Sequence, residues 1–140
     1  MKRICFILCC LVLPLAMSCV KSTDRMYSTL FDIRSSDWSE QDTYYSVALD
    51  VQEITKQVCN YGSVQCFLVY DDGSQACLPL QRYLSYEYTN NETGATETGY
   101  YQQMIDFEYS VGRVGIFYQN SDFFYDTKPE AMTIRVVIHY

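Results

Sequence analysis

Apolar and polar residues alternate along most of the chain from Thr43 onward, the period of half-buried strands. Tyr45, Val47, Leu49 and Val51 fall on one face, and Tyr44, Ser46, Ala48 and Asp50 on the other. The alternation breaks over Glu53–Gly62, where Ile54 and Val58 lie four apart; this predicts one or two helical turns ended by Gly62 in a left-handed conformation. Ser63–Tyr70 is apolar and β-rich, a central strand by its composition. Asp71-Asp72-Gly73-Ser74 then predicts a hairpin turn, because Asp-Gly tolerates positive φ. A return strand follows over Gln75–Leu80, with Pro79 placing it near an edge.

Farther along, Arg82–Thr89 carries Tyr83, Tyr86 and Tyr88, and Asn90–Glu97 reads as a polar loop. Alternation resumes through Gly99–Tyr109, turns at Gly112, and continues over Arg113–Tyr118. Gln119–Glu130 is irregular. In the last segment Met132, Ile134, Val136 and Ile138 alternate with Thr133, Arg135, Val137 and His139. Seven or eight short strands, turn signals every 8 to 12 residues and one helical turn predict an all-β antiparallel sandwich.

The first residues obey different rules. Lys2 and Arg3 precede an apolar run, Ile4–Leu13, of ten residues, too short to cross a bilayer as a helix. Residues 1–18 therefore read as a secretory signal peptide. The segment Leu15-Ala16-Met17-Ser18-Cys19 resembles a bacterial lipobox, which implies that Cys19 is acylated and becomes the first residue of the mature chain. An ordinary signal peptide cut nearby is the competing reading, since Ala16 and Ser18 are both small. Residues 19–42 are then a polar tether, with Trp38 as the point where it packs on a domain spanning 43–140.

A wider resemblance runs through Asp37-Trp38, Val51–Val58, Gly62-Ser63-Val64, Leu78-Pro79-Leu80, Tyr109–Val114 and Thr133–Ile138. These pieces are similar to small lipoproteins of Bacteroidota-type bacteria. The resemblance implies an immunoglobulin-like sandwich anchored to the outer membrane, and it implies no catalytic residue and no ligand.

Charge and side-chain inventory narrow the chemistry. The formal charge is −7; without Lys2 and Arg3, eight basic residues face 17 acidic ones, and it falls to −9. That balance counts against a sequence-independent grip on nucleic acid, and no nucleic-acid partner is expected. His139 is the only histidine, it sits on a strand expected to leave it in solvent, and no nucleophile elbow, metalloprotease helix or phosphate-binding glycine loop is present. No enzyme activity, metal or cofactor is expected. Cys59, Cys66 and Cys77 have spacings that match no zinc pattern. They read either as buried small hydrophobes or as one bridge, Cys66–Cys77, across the hairpin. The carboxylates of Asp71-Asp72 and Asp122–Asp126 fit no calcium loop and read as solvated turn residues.

The aromatic surplus, with 14 Tyr, is the sharpest remaining signal. Phe124 and Tyr125, in the irregular segment, are expected to form a binding patch with Tyr86 and Tyr88. Such a patch could stack on a glycan or anchor a protein, although the same rings could simply plug the end of the core. The functional expectation is a lipid-anchored envelope protein that binds a glycan or a protein without catalysis, on the cell-surface or the periplasmic face. The alternative is an assembly subunit that engages partners by strand pairing, for which the terminal strand Thr133–Tyr140 offers apolar alternation and a free end.

Overall fold

The computed structural model of the protein describes residues 25–121 and 128–140. Nine strands are laid out in chain order: β1 (Met26–Ile33), β2 (Ser39–Glu40), β3 (Tyr45–Asp50), β4 (Ser63–Val69), β5 (Gln75–Cys77), β6 (Leu80–Thr89), β7 (Thr96–Ser110), β8 (Arg113–Asn120) and β9 (Met132–His139). A single α-helical turn, α1 (Lys56–Tyr61), separates β3 from β4. The strands form two antiparallel sheets, β1-β9-β4-β5 and β2-β3-β8-β7-β6. The described residues form an all-β sandwich of nine strands, one more than the upper expectation.

Two of the strands, β1 and β2, come from the stretch expected to be tether, so the sandwich begins well before residue 43. Residues 26–33 pair with β9 over their whole length, from Met26↔His139 to Ile33↔Met132. Tyr27, Phe31 and Ile33 turn toward the core, whereas Met26 and Leu30 face solvent. Two apolar residues on the outer face blur the alternation, so the segment does not read as a strand. Trp38 packs as expected: it is 2% exposed, and its ring meets Tyr118 edge-on at 6.1 Å.

The hydrophobic core lies between the sheets, where Ile134, Val136 and Ile138 of β9 meet Val114 and Ile116 of β8 and Ile105 of β7. Strand β9 is bonded on both edges, to β1 and to β4 along nearly all its length. The terminal strand is therefore an interior one with no free edge, which removes it as the pairing surface of an assembly subunit.

Local chemistry explains the connections. Thr55 caps α1, its hydroxyl accepting the Val58 N–H at 3.3 Å. Gly62 ends the helix at φ −102°, an extended backbone and not the expected left-handed one. Its glycine has another reason, because a Cβ there would overlap the backbone carbonyl oxygen of His139. The β4–β5 hairpin turns through Gly73 at φ +83°, with the Asp72 carboxylate accepting the Ser74 N–H at 2.9 Å. After β5 the chain crosses between sheets through Leu78-Pro79, and β6 begins at once at Leu80.

No helix among the described residues is long and apolar enough to cross a membrane. The leader, Cys19, Phe124 and Tyr125 lie outside the described residues.

A cleft under a tyrosine arm as the candidate functional site

The site arises from unequal strand lengths. Strand β7 has 15 residues, but β8 pairs only with its Gln103–Ser110 half. The other half pairs as a strand with β6 alone, from Tyr83↔Gln102 to Thr89↔Thr96. The β6–β7 hairpin thus runs past the sandwich as a two-stranded arm, closed by a turn in which Asn90 accepts the Glu92 N–H at 2.8 Å.

Because faces alternate along a strand, the core-facing side of the sheet continues out along the arm. The cross-strand pairs on that side are Arg82/Gln103, Leu84/Tyr101, Tyr86/Gly99 and Tyr88/Glu97. Tyr86 lies flat over Gly99; a Cβ there would stand 2.6 Å from the ring carbon Cζ. The glycine lets the ring cover the bare backbone. Tyr86 is also 6.0 Å from Tyr88 and 6.1 Å from Tyr101, centroid to centroid, which makes a run of three rings. Tyr86 and Tyr88 remain 46% and 43% exposed.

Between this arm and the ends of β1, β4 and β9 opens a cleft of about 950 Å³. That volume falls within the range of small-molecule sites, and the mix of rings with a few convergent polar groups is their usual lining. At its base sits a polar relay. The Arg82 guanidinium donates from Nε to Gln103 Oε1 at 2.7 Å, and Gln103 Nε2 donates to the Tyr118 hydroxyl oxygen at 2.6 Å. Gln103 is only 4% exposed, so both ends of its amide are held and its orientation is fixed. Burial pushes the Tyr118 phenol above its ordinary pKa, Tyr101 adds to the effect, and Asn120, Gln103 and Arg82 pull the other way. Tyr118 is consequently a neutral hydroxyl at physiological pH, able to donate as well as accept.

Two further polar features lie at the relay. The terminal nitrogens of Arg82 make no bond among the described residues. Asn120 Oδ1, on the same wall, is a buried acceptor with no partner among the described residues. The arrangement offers donors, an acceptor and ring faces, but no activated nucleophile. Among the described residues no three of His, Cys, Asp and Glu gather as metal ligands.

Of the residues expected to form the patch, the structure places Tyr86 in the cleft wall and Tyr88 beside it on the outer arm. Tyr88 donates to Glu97 Oε2 at 2.8 Å; this bond raises the Tyr88 pKa and lowers that of Glu97. Arg82, Tyr101, Gln103, Tyr118 and Asn120 were not anticipated. Their signal was the parity of the β6–β7 register, which puts 82, 84 and 86 on the same face as 99, 101 and 103.

The cysteines do not join the site. Cys59, Cys66 and Cys77 are free thiols. Cys77 pairs with Phe67, so the register points it to the face opposite Cys66, and the candidate bridge is not formed. Burial pushes the Cys66 thiol up to about 12, and the neighbouring Cys77 adds to the shift. His139 ends β9 exposed.

Comparison with protein-family models, with curated proteins and with solved structures yields no match to this chain.

Proposed function

We propose that the chain is a lipid-anchored protein of the bacterial envelope that acts as a non-catalytic binding module, with the arm and cleft as its ligand site. The observation that carries the reading is the conjunction of the Tyr86 and Tyr101 rings, with Tyr88 beside them on the arm, and the Arg82–Gln103–Tyr118 relay along one open cleft. Rings present flat apolar faces, and the relay with Asn120 presents directed donors and an acceptor. A saccharide offers the complement, an apolar ring face edged by hydroxyls. This favours a glycan over a protein ligand, which would find a cleft of about 950 Å³ less useful than a broad surface.

The anchor rests on the resemblance of Leu15–Cys19 to a lipobox and on a short apolar leader. Each buried methylene of an acyl chain contributes about 0.8 kcal/mol, so a doubly acylated Cys19 holds firmly. Cys19→Ser should move the protein from the membrane fraction to the soluble one. Digestion by protease on intact cells would assign it to the cell surface, and protection until lysis to the periplasm.

The binding reading is tested by screening soluble glycans against the purified chain, then repeating the best hits with Tyr86→Ala and Arg82→Met. Loss of about tenfold or more in affinity for each, on a chain with unchanged circular dichroism, is expected. Equal affinity in both variants would remove the cleft from the function.

A further inference from the structure

In an antiparallel ladder each residue turns its N–H and C=O either to one neighbouring strand or to the other. The Asn90 N–H donates to the Ala95 carbonyl at 2.9 Å, which sets the phase of the β6–β7 ladder. Stepping back by twos, Tyr88, Tyr86, Leu84, Arg82 and Leu80 make the bonds to β7. An independent bond agrees. The Ser121 N–H donates to the Gln102 carbonyl at 2.8 Å, so the even residues of β7 serve β8 and the odd ones serve β6. It follows that Gln81, Tyr83, Ser85, Glu87 and Thr89 hold their N–H and C=O groups out of the open side of β6.

Nothing among the described residues pairs there, since β6 ends its sheet. Of the four sheet edges, β2 has two residues, β5 three, β1 eight and β6 ten. Natural edges are commonly blunted by proline, lysine or a bulge. Strand β6 has neither residue, and its register with β7 is unbroken from end to end.

We propose that β6 pairs antiparallel with β6 of a second copy of this chain, about a two-fold axis at Ser85. A two-fold axis across a sheet keeps each side chain on its own face, so only residues of like parity can stand opposite one another. Centring on Ser85 is the register that engages all five outward residues. Ser85 faces the partner's Ser85, Tyr83 the partner's Glu87, and Gln81 the partner's Thr89, for about ten bonds in all. The same register opposes no like charges: Arg82 faces the partner's Tyr88, a cation against a ring, and Glu87 faces the partner's Tyr83. On the cleft side the partner's Tyr86 comes beside Leu84. Each copy thereby adds rings to its neighbour's aromatic wall, and the two arms become one continuous floor.

Sedimentation of the full chain carrying Cys19→Ser should give twice the monomer mass. Ser85→Pro should return it to a monomer with unchanged circular dichroism, because the lost N–H serves no bond within the chain. Leu84→Pro, which removes a bond to β7, should damage the fold instead. Independently, in a Cys77→Ser background, a short thiol cross-linker should join Ser85→Cys into a covalent dimer far more than Tyr83→Cys. A monomeric parent chain at all soluble concentrations, or a dimer that survives Ser85→Pro, would overturn the proposal. If Ser85→Pro fails to fold, equal cross-linking at positions 83 and 85 would do the same.

Discussion

Strand β9 and the outer half of β7 are both antiparallel strands of one small sandwich, and their surroundings could hardly differ more. Strand β9 is bonded along both edges and presses Ile134, Val136 and Ile138 into the core with no exposure. Beyond Gln102 the outer half of β7 is bonded, among the described residues, to β6 alone. Two-stranded ribbons are marginal in water unless cross-strand side chains support them. Here the support is Tyr86 over Gly99, Leu84 against Tyr101 and the Tyr88–Glu97–Asn90 hydrogen bonds at the tip. Burial is concentrated in the first region, while exposed tyrosine rings are displayed by the second.

The contrast can be broken most forcefully at its stable pole. Ile134→Ala removes three carbons from a fully buried site and should cost about 3 kcal/mol, read as a lower midpoint in chemical denaturation. A cost below about 1 kcal/mol would mean that β9 is not the centre of the core.

An alkaline titration comes next in size. The Cys66 thiol has a folded value of about 12 against a reference of 9.0, because burial disfavours the thiolate. The raised value means that the folded state favours the protonated form. That contribution is complete below pH 9 and is lost as pH climbs toward 12, and Tyr118 works in the same direction above its own reference of 10.0. Stability should therefore fall progressively above pH 9. At pH 8 a thiol reagent should label exposed Cys77 quickly, while Cys66 waits for unfolding. Equal labelling rates would contradict the register of β4 and β5.

The arm should give the smallest thermodynamic signals and the clearest functional ones. Gly99→Ala pushes against the mobile end of one side chain, the Tyr86 ring, so the ring should move aside at little cost in thermal midpoint. Glycan affinity should drop all the same, because the displaced ring no longer covers the arm. Unchanged affinity would sever the link between Tyr86 and the site.

Much of the fold was legible where one face is buried and the other wet. Strands β3, β4 and β9, the Asp72-Gly73 turn and the helical turn after Glu53 follow from alternation and turn chemistry alone. Strand β1 was hidden because Met26 and Leu30 make its wet face look apolar. The position of β9 in mid-sheet was hidden for another reason: which strands become neighbours depends on contacts distant in sequence. The site was legible only in part. Tyr86 and Tyr88 stand out as an aromatic pair, whereas Arg82, Gln103 and Tyr118 become a relay only once β6, β7 and β8 lie side by side in one register.

The first described residue, Arg25, exchanges both backbone bonds with Tyr140, beside the far end of β4 from the cleft. Strand β1 then runs its eight residues before reaching Asp32 and Ile33 in the cleft wall, a climb of roughly 25 Å at about 3.3 Å per residue. The arm rises from that same upper end. The chain therefore enters the sandwich at the end opposite the cleft, about a strand's length from the base of the tyrosine arm.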